Sequence, residues 1–205
     1  MARALMSDIS NCGIVCPTDW VPLPIEPSDD VKGWAKATSA RLCAQGAEAG
    51  YELDKRALRK DLRARADDSR SRAPFYAFAL YPDGFDSSLA TLEVDLIHPD
   101  ETIPRITLDW LADAFSADDF GPPKISRTEL DIGPAVRIRQ NFAAADPPAG
   151  GPGILLETVT YGVLPTGTET ALMLLVSWTV PGLSEEMEEA AADIVKTLTV
   201  EFDAS

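Results

Sequence analysis

Residues 154–200 constrain the fold most strongly. Ile154–Leu164 alternates apolar and polar residues in its second half, and Ala171–Val180 is apolar on both sides at its start, so both predict β-strands. The turn-forming residues of Pro165–Thr170 lie between them. Leu183–Leu198 then repeats apolar residues at helical spacing. The sequence therefore predicts two adjacent strands and a C-terminal helix that covers one face of their sheet.

Local signals predict how that helix begins and ends. Ser184 is a residue type that caps helix N-termini, and Glu185 and Glu186 follow in the first turn, where the helix dipole favours negative charge. Lys196 lies near the C-terminal end, where the dipole favours a cation. We therefore expect Ser184 to be the N-cap.

Two antiparallel hairpins are predicted in the middle of the chain. The first joins Phe75–Tyr81 to Leu89–Ile97, and strict alternation in the second strand predicts that Glu93 faces solvent. The second hairpin joins Ile125–Ile132 to Ala135–Phe142 around a turn at Gly133 and Pro134. The short helix predicted between the hairpins is capped by Thr107 and has four apolar residues on one face: Leu108, Leu111, Ala112 and Phe115.

The N-terminal third adds an edge strand and helices. Trp20–Ile25 predicts a strand that its prolines confine to a sheet edge or a strand end. Helical spacing predicts an N-terminal helical insertion over residues 28–72. We predict a flexible tail over residues 1–12, a single α+β domain over residues 13–205, and a mobile loop over residues 143–153, which are rich in Ala, Pro and Gly.

Composition argues against several partners. The chain of 205 residues has a net charge of −15, which repels phosphate backbones and anionic lipids, so neither nucleic acid nor a membrane surface is an expected partner. No segment approaches the roughly 20 apolar residues of a membrane-spanning helix. The first ten residues contain no continuous apolar run of the kind found in a secretory signal, which predicts a cytoplasmic location.

The sequence also lacks familiar reactive motifs. Cys12, Cys16 and Cys43 are too few for a disulfide framework, and no second Cys or His pair completes a zinc site with the first two. His98 is the single histidine, and no G-x-S-x-G motif supplies a serine nucleophile for it. Phosphate-binding glycine motifs are absent as well. We therefore predict no catalytic, cofactor-binding or metal-binding residue.

One basic segment stands out in this acidic chain. Residues 52–72 contain eight Lys or Arg and five Asp or Glu. Such mixed charges on a helix are typical of a solvated surface with weak ion pairs. If the protein has a charged docking surface, Arg56, Arg59 and Arg63 are the candidates, because their spacing puts them on one helix face.

Two stretches, Trp20–Pro24 and Ala190–Leu198, combine with the predicted order of elements in a recognisable pattern. This pattern resembles the PsbP-like superfamily, which includes the LpqN and DcrB families. Two further stretches, Leu130–Arg137 and Phe78–Pro82, are similar to stretches in proteins of high-GC actinobacteria. The resemblance implies an antiparallel β-sheet flanked by helices in a three-layer α/β/α sandwich, and a protein-binding role. It carries over no functional residue, and the helical insertion departs from the usual short form of the fold.

The function predicted from these observations is that of a non-catalytic protein-binding module, such as an adaptor or chaperone, with a protein partner. Two alternatives stay open at this point. A carboxylate-dependent hydrolase would need two of the many Asp or Glu residues to face each other across a cleft. A small-molecule carrier would need an apolar cavity between sheet and helices.

Overall fold

The structure is a computed structural model that describes residues 9–118, 120–144, 154–180 and 182–202. Its contacts divide the chain into two compact units. The N-terminal unit is Pro17–Val94, and the C-terminal unit comprises the residues up to Cys16 and those from Asp95 onward. The elements in chain order are β1 Ile9–Gly13, β2 Trp20–Pro22, α1 Val31–Glu48, α2 Lys55–Arg72, β3 Tyr76–Leu80, β4 Ala90–Ile97, α3 Leu108–Ala114, β5 Lys124–Leu130, β6 Gly133–Ala144, β7 Ile154–Val163, β8 Ala171–Trp178, α4 Ser184–Val195 and β9 Thr199–Phe202.

The N-terminal unit packs two helices on a short antiparallel sheet. Its strands follow the order β2-β3-β4, with Trp20 opposite Leu80 and Phe78 opposite Leu92. β2 therefore lies at an edge, where the lack of a proline N–H is tolerated, as its sequence predicts. One apolar cluster joins the sheet to both helices, and its buried residues are Val21, Leu23, Ala35, Leu42, Leu58, Leu62, Ala77, Ala79 and Tyr81.

The C-terminal unit has helices on both faces of a four-stranded antiparallel sheet, in the order β8-β7-β6-β5. On one face Leu111 of α3 packs against Val136 of β6, and Gly162 of β7 is so close that an added Cβ would lie 3.1 Å from Leu111. On the other face Arg137 of β6 pairs with Glu188 of α4. Adjacent residues of a strand point to opposite faces. The predicted α+β class, with an antiparallel sheet flanked by helices, is thereby confirmed.

The second predicted hairpin has its turn in a different place. β5 ends at Leu130 and β6 begins at Gly133, so the turn is Asp131–Ile132 rather than Gly133 and Pro134. Gly133 adopts φ 147°, and a Cβ there would lie 2.2 Å from the carbonyl oxygen of Leu164. The glycine is thus needed for a close backbone approach inside a strand, which its sequence neighbourhood alone does not distinguish from a turn.

The N-terminal tail prediction is wrong for residues 9–12, because β1 pairs antiparallel with β9. Cys12 lies opposite Val200 and is fully buried. Residues 1–8 lie outside the described residues. So do residues 145–153 of the loop predicted over 143–153, whose first two residues belong to β6.

Candidate functional site

The basic segment folds as helix α2, whose start is set by Asp54. The Asp54 carboxylate accepts hydrogen bonds from the backbone N–H groups of Arg56 at 2.8 Å and Ala57 at 3.1 Å. These bonds, with that from Ala57 contributing most, hold the pKa of the exposed Asp54 carboxyl below its usual range. A charged N-cap is therefore maintained at neutral pH, and it fixes the first turn of the helix.

Apolar packing then orients α2. Leu58, Leu62 and Ala66 recur every four residues and are fully buried. Leu58 and Leu62 belong to the cluster that joins the helix to α1 and β3. A helix held along one stripe in this way must present its other side outward. The charged residues of α2 are thus fixed in direction by the buried stripe.

The cations in the second half of α2 have partners in the fold. Arg72 binds both carboxylate oxygens of the buried Glu93, at 2.7 to 3.2 Å, and also Asp68 at 2.9 Å. Arg70 donates to the carbonyl oxygen of Glu26 at 2.6 Å. Arg65 lies 3.7 Å from Asp61, whose carboxylate also accepts from Tyr81 Oη and from Ser88 N. These cations contribute to packing within the N-terminal unit.

Glu93 corrects a sequence prediction. Alternation along β4 predicts a solvent-facing side chain, yet Glu93 is 6% exposed. The reason is Arg72, whose bidentate hydrogen bonds neutralise the carboxylate and satisfy its oxygens. Strand periodicity gives the face of a residue, but not whether another element covers that face.

The first half of α2 differs, because its cations have no such partners. Among the described residues, no carboxylate lies within salt-bridge distance of Lys55, Arg56, Arg59, Lys60 or Arg63, and no acceptor is hydrogen-bonded to their side chains. We call the last four of these residues the cationic patch. Arg59 and Arg63 are half-buried, and the Nε atom of each is buried without a hydrogen-bond partner in the described part of the chain, as is the Nε atom of Arg65.

The structure therefore places the three arginines that the sequence singles out, Arg56, Arg59 and Arg63, on one side of a well-anchored helix. Their role in binding stays a prediction. Sequence reasoning missed Lys60, although its position four residues after Arg56 could have identified it. What the sequence could not distinguish was which cations of the segment have partners.

A second arginine cluster lies in the C-terminal unit beneath α4. Arg139 of β6 pairs with Glu157 of β7, and these two side chains are 11% and 10% exposed. Arg139 also binds Glu188 of α4 at 2.9 Å and the side chain of Asn141 at 2.6 Å, and its guanidinium lies 4.9 Å from the ring centre of Trp178. Every charge in this cluster is matched, so the cluster holds α4 on the sheet.

The same cluster explains a wrong prediction about Ser184. The N-cap of α4 is Leu183, and Ser184 is instead the first helical residue. Its hydroxyl donates a hydrogen bond to the buried carboxylate of Glu157 at 2.7 Å. The hydroxyl that was expected to cap the helix is therefore bonded to strand β7. The indole Nε1 of Trp178 beside it is buried without an acceptor among the described residues.

His98, Cys12 and Cys16 are residues of types that can take part in covalent chemistry. His98 Nδ1 lies 3.1 Å from the hydroxyl of the buried Thr170, and no serine or cysteine bonds to His98 within the described ranges. Burial raises the pKa of Cys12 to about 11 and that of Cys16 to about 12, which disfavours a thiolate at neutral pH. In the part of the chain that the structure describes, no group of His, Cys, Asp and Glu could hold a metal ion.

No family model and no curated protein matches the chain. Among solved structures, the chain is similar to LpqN, a protein involved in cell envelope biogenesis of Mycobacterium tuberculosis, with a TM-score of 0.46 and 13% identity over 92% of this chain and 82% of LpqN. We draw no functional conclusion from this match. No helix among the described residues is long and apolar enough to span a membrane.

Proposed function

We propose that the protein is a non-catalytic protein-binding module that docks an acidic segment of a partner protein on the cationic patch of α2. The observation that carries the proposal is the contrast within one helix. The cations of its second half are matched by partners in the fold, whereas Arg56, Arg59, Lys60 and Arg63 are not matched by any described residue. Cations without an ion-pair partner in their own fold are available to a ligand.

The charge of the whole chain narrows the class of ligand. α2 carries eight Lys or Arg and three Asp, a net charge of +5, so the rest of the chain carries −20. A long polyanion such as DNA would meet repulsion beyond the patch, since exposed charges act over about 8 Å at physiological ionic strength. A short acidic protein segment fits within the favourable region. Arginine also suits carboxylates, because its planar guanidinium can bind both oxygens.

The two alternatives from the sequence gain no support of this kind. Of the buried carboxylates among the described residues, Glu93 forms an ion pair with Arg72 and Glu157 forms one with Arg139, so each faces a cation rather than an open cleft. One cleft of the C-terminal unit, of about 410 Å³, is lined by polar as well as apolar residues, including Arg105 and Glu169. A carrier for an apolar molecule would need a more apolar enclosure.

Charge reversal tests the proposal. The variant Arg56→Glu/Arg59→Glu/Arg63→Glu should fold, because none of these side chains contributes an ion pair with a described residue. At position 56, in the first turn of α2, negative charge is also favoured by the helix dipole. The control is Lys32→Glu/Lys36→Glu/Arg41→Glu, which makes the same change of net charge on exposed positions of α1. Circular dichroism would check that both variants are folded.

Binding would be measured in two ways at low salt. A fluorescein-labelled oligoglutamate peptide, followed by anisotropy, should bind the wild type and the control, and should bind the patch variant at least about tenfold more weakly. In pull-downs from native lysate, the wild type and the control should capture the same partner proteins. The patch variant should fail to capture them. If the patch variant binds the peptide and captures the same proteins as the wild type, the proposal is wrong. The adaptor or chaperone role and the cytoplasmic location stay predictions.

A further inference from the structure

Strand β5 is the outermost strand of the C-terminal unit. It follows β6 at the end of the strand order, so its outer edge pairs with no strand among the described residues. Six of its seven residues are exposed, including Ile125 at 47%. An uncovered strand of this length presents free backbone N–H and C=O groups that can pair with another strand.

The side chains of β5 alternate between two faces. Ile125, Arg127 and Glu129 lie opposite Ile138, Val136 and Pro134 of β6, which is the face that α3 covers further along the sheet. Ser126, Thr128 and Leu130 point to the other face. Opposite charges thus lie two residues apart on the same face, at Arg127 and Glu129.

We propose that β5 pairs antiparallel with β5 of a second copy of this chain, with Thr128 on the two-fold axis. In this register Arg127 lies opposite Glu129 of the second copy, and the symmetry repeats the pair. Thr128 meets Thr128, and Ser126 meets Leu130, on the other face. Opposite charges and paired threonines are both favourable across antiparallel strands. The two sheets then form one continuous sheet.

Neighbouring registers are less favourable. A two-fold axis perpendicular to the sheet keeps each side chain on its own face, and residues directly opposite each other share a face. The axis must therefore lie between the two copies of one residue. Centring it on Arg127 places Arg127 opposite Arg127, and centring it on Glu129 places Glu129 opposite Glu129. Of these three registers, only the one centred on Thr128 brings opposite charges together without a like-charge pair.

This charge pattern also argues for a second copy over an unrelated strand. Charged residues on an edge strand oppose pairing with most other strands, because a charge without a counterpart is destabilising. In the self-paired register each charge has a counterpart. Arg127 already pairs with the exposed Asp109 of α3, and its guanidinium has enough N–H donors to bind a second carboxylate as well.

The expected dimer is weak and depends on concentration. Two short strands bury less surface than a standard stable interface. Sedimentation velocity of the full chain, from low to high micromolar concentration, should show a monomer–dimer equilibrium. A monomer at every concentration would overturn the proposal.

Charge exchange tests the register. Arg127→Glu and Glu129→Arg should each weaken dimerisation about tenfold or more, since each places two like-charge pairs across the interface. The double variant Arg127→Glu/Glu129→Arg should restore dimerisation, because the opposite charges then face each other again. The control is Glu189→Arg, a charge reversal at an exposed position of α4, which should leave dimerisation unchanged.

Other outcomes would contradict the assignment. If both single variants dimerise like the wild type, β5 is not the contact. If the double variant fails to recover although its circular dichroism is native, the register is wrong. If Arg59→Glu in the cationic patch abolishes the dimer while Arg127→Glu does not, the copies associate through the patch instead.

Discussion

The two arginine clusters of this protein use the same side chain for opposite purposes. Arg139 is almost fully buried and meets Glu157, Glu188, Asn141 and the ring of Trp178. In the cationic patch, Arg59 and Arg63 meet no carboxylate among the described residues. A buried charge must be matched within the fold, whereas a half-exposed one can remain hydrated until a partner replaces the water. The number of matched hydrogen bonds therefore separates structural arginines from those available for binding.

Removing Arg139 should have the largest effect on stability. Arg139→Met leaves Glu157 as a buried carboxylate without its counterion, which should cost about 3–5 kcal/mol of unfolding free energy. Arg59→Met should stay within about 0.5 kcal/mol of the wild type, because it removes no such pair. Urea denaturation of both variants measures the difference. Similar losses of unfolding free energy for the two substitutions would contradict the distinction between the two clusters.

A double substitution separates the cost of an orphaned charge from the value of the pair. Arg139→Met/Glu157→Met removes both charges, so it should recover about 2 kcal/mol relative to Arg139→Met alone. The single variant Glu157→Met completes the thermodynamic cycle. A double variant that is no more stable than Arg139→Met would show that packing against Trp178, and not the charge on Glu157, dominates.

Arg72 offers the same comparison within a single helix. Arg72→Met should cost about 1–2 kcal/mol, because Glu93 loses its bidentate partner, but the cost is reduced by solvent, since the Arg72 side chain is 45% exposed. Arg63→Met, on the same helix, is the matched control. Thermal unfolding followed by circular dichroism should give a lower melting temperature for Arg72→Met than for Arg63→Met. The reverse order would contradict the division of α2 into two halves.

The smallest expected effect concerns the N-cap that positions the patch. The pKa of Asp54 is lowered in the folded state, so its contribution to stability is present above the unfolded pKa and is lost as the pH falls through the folded one. Asp54→Ala should be slightly less stable than the wild type at neutral pH, and the difference should shrink below about pH 4. Asp54→Asn keeps a capping oxygen and should show a smaller deficit at neutral pH. A deficit of Asp54→Ala that does not change with pH would argue against a charged cap.

Element types were largely predictable because they depend on local chemistry. The Thr107 cap of α3 is confirmed by its hydrogen bond from Trp110 N at 3.1 Å. The buried stripe of α4 contains Met187, Ala191 and Ile194, at the predicted spacing. The turn over Pro165–Thr170 also separates β7 from β8 as predicted. Each of these signals lies within a few residues of the structure that it specifies.

Pairings between distant residues were not predictable in the same way. β1 pairs with β9 although the two strands lie about as far apart in sequence as the described chain allows. Arg139 and Glu188, like Arg72 and Glu93, are ordinary charged residues until the fold brings them together. The candidate site shows both cases, since the sequence identified Arg56, Arg59 and Arg63 as one helix face but did not show that Arg72 is matched.

The amino-acid sequence by itself thus determined the helices, most strands, the antiparallel hairpins and the concentration of positive charge on α2. Periodicity and capping act over one or two helical turns, and this chain follows them closely. Only the tertiary structure decided which charges are buried and matched, which strand is left at the edge, and which cations are exposed. Burial depends on elements that approach from elsewhere in the chain, and free energies of desolvation and ion pairing follow from that approach.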